Sequence, residues 1–135
     1  MGATAGAAKR RVLIVEDELL LAILLEGMLV ELGHQVVTTA ANVQAALNAV
    51  ETETFDLAVL DIRLHGGSIG PVAELLAAKR LPFIFATGYG WEGVPEPYRD
   101  RPVLQKPFTA ADLQRAIDSL GGSDRSDAPM PQGSA

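Results

Sequence analysis

Apolar residues along this chain arrive in two alternating rhythms. Short runs rich in Val, Ile, Leu and Phe occur at Arg11 to Val15, Gln35 to Thr39, Leu57 to Leu60, Pro82 to Ala86 and Val103-Leu104. Runs of this length, most without polar alternation, predict strands covered on both faces. Between them, apolar residues recur three and four apart, and the flanking signals are those of helices. Glu18 to Leu32 is a run of strong helix formers followed by Gly33, the residue expected just past a last turn. Asn42 can cap a helix to about Glu51, with Val43, Ala46, Leu47 and Val50 on one stripe. Pro71 to Arg80 is a third helix with Pro in its first turn and Val72, Leu75 and Leu76 inward. Thr109 caps a last helix, Asp112 complements its dipole, Leu113, Ala116, Ile117 and Leu120 form its apolar face, and Gly121-Gly122 ends it.

Strands alternating with helices at this spacing predict an α/β domain with a parallel sheet. One segment breaks the rhythm. Thr87 to Pro102 holds Gly88, Gly90, Gly93, Pro95, Pro97 and Pro102, a density that cannot sustain a long helix, so a loop with at most one short turn is expected. The domain is expected over residues 10–121, with a flexible segment at 1–9 and a polar, Pro-containing tail at 122–135 expected to be disordered. The first helix is unusual in being apolar on more than one face. Some of its apolar residues should stay exposed, with Leu21, Leu25 or Leu29 the expected ones, and a partner or homodimer surface follows from that.

Composition narrows the chemistry. The chain has 135 residues, enough for one domain with a real core. No cysteine is present, which excludes disulfides, zinc–thiolate sites and thiol catalysis, and two histidines, His34 and His65, are too few for a His-rich metal site. The net charge of −6 argues against non-specific binding to nucleic acid. Lys9-Arg10-Arg11 before an apolar run looks briefly like an export signal, but Glu16-Asp17-Glu18 interrupts the run after Val15. No stretch reads as a membrane span, and the expectation is a soluble, cytoplasmic protein.

Polar residues with chemistry cluster at the predicted strand ends. Glu16 and Asp17 follow the first strand, Asp61 ends the third, Thr87 ends the fourth and Lys106 follows the fifth. In a parallel sheet these ends share one edge, where open α/β folds place their reactive groups. Each residue alone has an ordinary reading as a cap, a turn former or a surface lysine. Several acids in one pocket repel one another, and Mg²⁺, which needs only one or two carboxylates and keeps its waters, would relieve that cost. Asp61 could then attack phosphorus while Lys106 and Thr87 contact the phosphoryl oxygens.

The chain resembles a response-regulator receiver domain, the phosphoacceptor half of a two-component system. The resemblance covers about residues 10–121 and rests on Val-Leu-Ile-Val-Glu-Asp-Glu (12–18), Leu-Ala-Val-Leu-Asp (57–61), Phe-Ile-Phe-Ala-Thr-Gly-Tyr (83–89) and Leu-Gln-Lys-Pro-Phe (104–108). It implies a flavodoxin-like, doubly wound sheet of five parallel strands in the order 2-1-3-4-5 with flanking helices. It implies phosphorylation of Asp61 by a histidine kinase or phosphotransfer protein. Mg²⁺ would be held by Asp17, Asp61 and the backbone carbonyl of Arg63, with Glu16 acting through water. Thr87 and Lys106 match the hydroxyl and the lysine that contact the phosphoryl group, and Lys106-Pro107 matches the family's cis peptide.

Two departures stand out. The family carries an aromatic residue three positions before the lysine, and here that position is Val103. The Gly/Pro-rich segment stands where the family's fourth helix belongs, so that helix should be short or replaced by a loop. Phe85-Ala86-Thr87-Gly88-Tyr89 is similar to the signature of the FAT GUY receivers of alphaproteobacteria, which lack the aromatic switch. The expected switch element is therefore the loop from Gly88 to Arg101, with Tyr89 and Trp91 as apolar anchors. The chain ends about fifteen residues after the last helix, so a stand-alone receiver without an effector domain, acting by contact with a downstream protein and without direct DNA binding, is the leading expectation. A receiver cut from a larger regulator is the alternative. A Mg-dependent aspartyl-phosphate phosphohydrolase is a further one, but such enzymes carry a second acid two residues after the nucleophile, where this chain has Arg63. No turnover activity is expected beyond slow self-dephosphorylation.

Overall fold

The computed structural model of the chain describes residues 9–64, 67–88 and 94–120. Within them lie β1 (Arg11–Val15), α1 (Leu19–Glu31), β2 (Gln35–Ala40), α2 (Val43–Thr52), β3 (Leu57–Asp61), α3 (Gly70–Ala78), β4 (Phe83–Thr87), a 3-10 turn (Glu96–Tyr98), β5 (Val103–Gln105) and α4 (Ala110–Ser119). All strand pairs are parallel, and the sheet order is β2-β1-β3-β4-β5. This is the parallel sheet that the alternation predicts, in the flavodoxin-like doubly wound order that the family resemblance implies.

The period-two geometry of a strand explains why the runs carry no polar alternation. Leu13 and Val15 point to one face of the sheet, with Leu60, Phe83 and Phe85, and pack on α2 and α3 through Ala46, Val50, Val72 and Leu76. Val12 and Ile14 point to the other, with Val59 and Ile84, and meet Leu25 and Leu29 of α1 and Leu113 and Ile117 of α4. Both faces are covered, so every residue of β3 and β4 is buried.

Helix ends follow the predicted chemistry. Gly33 adopts φ +94°, a left-handed conformation, after α1. The Asn42 side chain accepts the Ala45 N–H at 2.8 Å, and Thr109 with Asp112 forms a reciprocal capping box on α4. α3 begins one residue before Pro71 and ends at Ala78, two residues short of the expected end. The Lys106–Pro107 peptide is cis.

The Gly/Pro-rich stretch shows a single 3-10 turn among its described residues, as the glycine and proline density predicts. Its far end is anchored by Val94, which is buried, by Tyr98 edge-on to Phe83 at 5.7 Å, and by the Arg101 guanidinium 4.5 Å above the Phe83 ring. Tyr89 and Trp91, the expected anchors of its near end, lie outside the described residues.

The expectation for α1 needs correction. Leu25 and Leu29 are buried and Leu21 is half-buried; the exposed residues are Leu19, Leu20, Ile23, Leu24 and Val30. A helix apolar on more than one face gives little amphipathic cue to its orientation, and the fold turned Ala22, Leu25 and Leu29 inward. Adjacent residues should therefore differ sharply in urea denaturation. Leu29→Ala should cost about 2–5 kcal/mol by opening a cavity, whereas Val30→Ala should stay within about 0.5 kcal/mol.

Candidate functional site

A parallel sheet brings all its carboxyl ends to one edge, and backbone bonds hold the tips in place there. Glu16 N–H donates to the Ala40 carbonyl at 3.0 Å, Ile62 N–H to Ala86 at 3.2 Å and Lys106 N–H to Thr87 at 2.7 Å. Glu16 and Asp17 thus leave β1 beside Asp61, the last residue of β3, with Thr87 ending the neighbouring strand and Lys106 one residue past β5.

Glu16, Asp61 and Thr87 are buried, and Asp17 and Lys106 half-buried. One carboxylate oxygen from each of Glu16, Asp17 and Asp61 lies within 4.8 Å of the others. The Lys106 ammonium sits 3.3 Å from Glu16 Oε1 and 3.6 Å from Asp61 Oδ1. Backbone donors share the load: Glu18 N–H reaches Glu16 Oε2 at 3.1 Å, and Arg63 N–H reaches Asp61 Oδ1 at 3.1 Å. Above the group opens a cleft of about 440 Å³, lined among others by Asp17, Asp61, Arg63, Gly88 and Lys106.

The structure brings together Glu16, Asp17, Asp61 and Lys106, with Thr87 at the adjoining strand end and Arg63 and Gly88 on the cleft wall. Sequence reasoning did not assign Glu18 or Leu21 to the site, and both also line the cleft. Their signal was present, since the first turn of a helix that starts beside the acids must overhang them. Leu64 completes the wall, and only the path of the chain after β3 places it there.

Three carboxylates against one ammonium leave the pocket negative. Burial is the chief reason that the Glu16 carboxyl is raised above its ordinary 4.5; the Glu18 N–H opposes this, the Asp61 charge adds to it, and Lys106 offsets part. Clustered hard oxygen donors of net negative charge fit Mg²⁺ rather than a metal that prefers sulfur or imidazole.

A five-stranded parallel sheet in the order 2-1-3-4-5, with acids facing a lysine at its carboxyl edge, is the arrangement of a signalling receiver. The family model of the response regulator receiver domain matches residues 12–118, and the chain belongs to that family. Receiver domains bind Mg²⁺ at an acidic pocket of this kind.

The chain is 34% identical over 116 residues to the transcriptional regulatory protein PdtaR of Mycobacterium tuberculosis, a match covering 83% of this chain and 57% of PdtaR. It is 36% identical over 115 residues to the phyllosphere-induced regulator PhyR of Methylorubrum extorquens, covering 78% of this chain and 41% of PhyR. The chain spans about half the length of PdtaR and of PhyR. Among solved structures it is similar to SdrG of Sphingomonas melonis, with 46% identity, a TM-score of 0.75, and coverage of 83% of this chain and 96% of that one. The BeF3-activated conformation of SdrG matches with 48% identity and a TM-score of 0.71, over 82% of this chain and 94% of that one. SdrG and PhyR neighbours are in keeping with the subgroup that residues 85–89 resemble.

The raised Glu16 carboxyl has a measurable consequence. A folded state that holds a proton more tightly than the unfolded chain has its full share of stability below the unfolded pKa and loses it as pH rises through the folded one. Glu16→Gln, which leaves Asp61 to pair with Lys106, should therefore raise Tm on the order of a few °C at pH 7 in EDTA. The gain should vanish near pH 4, and Mg²⁺ should narrow it by stabilising the wild type. A Tm unchanged or lowered at pH 7 would contradict the burial argument.

Proposed function

We propose that the chain is the phosphoacceptor unit of a two-component pathway, in which Asp61 receives a phosphoryl group from a histidine kinase or a phosphotransfer protein. The carrying observation is the placement of Asp61: a buried carboxylate at the tip of β3, 3.6 Å from the Lys106 ammonium and within one cluster with Glu16 and Asp17.

In this reading an Asp61 oxygen attacks the phosphorus of a phosphohistidine. The P–N bond breaks, and its electron pair returns to the imidazole. Lys106, released from Asp61, pairs with the new phosphoryl group and offsets its charge. The Thr87 hydroxyl at the end of β4 donates to a phosphoryl oxygen. Asp17, Asp61 and the Arg63 carbonyl would hold Mg²⁺, with Glu16 acting through water, and when bound the ion neutralises phosphoryl charge. The Arg63 N–H on Asp61 Oδ1 fixes the carboxylate orientation.

Output follows from contact with a downstream protein rather than with DNA, since a chain of net charge −6 repels phosphate backbones. The switch element is the segment from Gly88 to Arg101, with Gly88 on the cleft and Arg101 fixed on Phe83; Val103 supplies no ring for the usual aromatic readout. The domain occupies residues 10–121 and acts as an acceptor rather than a turnover enzyme. No helix among the described residues is long and apolar enough to cross a membrane, which suits a cytoplasmic signalling role.

Acetyl phosphate, or beryllofluoride as a mimic, should shift amide resonances around Asp61, Thr87 and Lys106 in the presence of Mg²⁺. EDTA or Asp61→Asn should abolish the response, and Lys106→Ala should weaken it at least about tenfold, the scale of one lost charge contact. A response in Asp61→Asn equal to wild type would overturn the assignment.

A further inference from the structure

Arg10, Glu16, His34, Asp61 and Thr87 are the polar side chains buried among the described residues. Glu16, Asp61 and Thr87 belong to the acceptor site, and His34 uses both of its ring nitrogens. Its Nδ1 accepts the Arg10 backbone N–H at 3.1 Å, and its Nε2 lies 2.9 Å from Gln114 Oε1. Arg10 is the exception. Its guanidinium Nε and Nη1 are buried and meet no acceptor, in a residue that is 7% exposed.

The backbone fixes where this side chain lies. The Gln35 N–H donates to the Arg10 carbonyl at 2.9 Å, so the β1–β2 ladder extends back through Arg10. Strand alternation then puts its side chain on the face of Val12 and Ile14, the one covered by α1 and α4. This is the amino edge of the sheet, opposite the edge that carries the acceptor cleft. Lys9, exposed, and Arg11, half-buried, flank it in the chain and add positive charge around it.

A guanidinium keeps its charge in proteins and cannot lose a proton to ease burial. Taken out of water, such a charge is destabilising unless an anion and hydrogen-bond acceptors meet it. The acids of the adjoining hydrogen-bond network are committed elsewhere. Asp56 accepts the Arg11 N–H at 2.7 Å, and Asp118 accepts the Gln114 amide at 2.8 Å. No ion pair among the described residues includes Arg10. We infer that the Arg10 guanidinium is a binding site for a carboxylate, whose two oxygens match the planar fork of its donors. A single negative charge suits the place better than a phosphate dianion, because Asp118 joins the same hydrogen-bond chain through Gln114 and His34. The site uses no residue of the acceptor cleft and stands apart from the phosphoacceptor reading.

The test titrates sodium acetate into the full chain against sodium chloride at equal ionic strength, reading the Arg10 Nε–H resonance and Tm. Acetate should move that resonance saturably, together with the amides of Arg10 and His34, and should raise Tm more than chloride does. Arg10→Met removes the unpaired charge and keeps the length of the side chain. Its Tm in chloride should therefore exceed that of the wild type, and acetate should add nothing further. Arg10→Lys keeps the charge but loses the fork, and should bind acetate at least about tenfold more weakly. The source of the carboxylate is read from the double variant Asp124→Asn, Asp127→Asn, which removes the side-chain carboxylates that follow Leu120. Acetate binding at least about tenfold tighter in that variant supports a carboxylate supplied by the chain itself, whereas equal affinity supports one brought by another molecule. Three results would overturn the proposal: chloride moving the Arg10 resonance as acetate does, inorganic phosphate binding as tightly as acetate, or a Tm of Arg10→Met below wild type in chloride.

Discussion

The structure depends on holding three carboxylates beside one ammonium at the edge of a sheet. Glu16 and Asp61 are buried, and Lys106 lies within 4 Å of both. Such a group is unfavourable alone, because burial penalises each charge and like charges repel. The fold absorbs the cost elsewhere, through two fully covered central strands and through backbone N–H groups of Glu18 and Arg63 directed at the acids. The site is poised because its charge is not balanced. A cation arriving there meets carboxylates that the fold has already positioned.

The same edge joins the cleft to the stretch that follows β4. Lys106 N–H is bonded to the Thr87 carbonyl, so the last residue of β4 and the residue that follows β5 are tied directly to each other. Gly88, next to Thr87, lines the cleft, and the segment beyond it is pinned at the Phe83–Tyr98–Arg101 cluster. Glycine and proline density disfavours a long helix in this stretch, and its described residues after β4 hold a single 3-10 turn. α1 lies on the other layer with α4, so its exposed face is remote from that cluster while its first turn still overhangs the acids.

Much of the fold was legible in the residues. The strand runs, the caps at Asn42 and Thr109, the stop at Gly33 and the break after Thr87 each reflect local backbone chemistry, which acts within a few positions. Boundaries moved by one or two residues, as at α3, where the turn at Ile69 and Gly70 starts the helix before Pro71. The orientation of α1 was not legible. Its apolar residues surround the helix, so periodicity could not distinguish Leu25 and Leu29, which are buried, from Ile23 and Leu24, which are not.

By itself the sequence determined the alternation of strand and helix, the two-sided burial of the central strands and the chemical identity of the groups at their ends. These are consequences of side-chain period and local propensity. Tertiary structure alone decided that Lys106 lies nearer Glu16 than Asp61 and that the Glu18 and Arg63 amides turn toward the acids. Those outcomes depend on strand register and on which neighbour each helix packs against, and they join residues up to 90 positions apart in the chain.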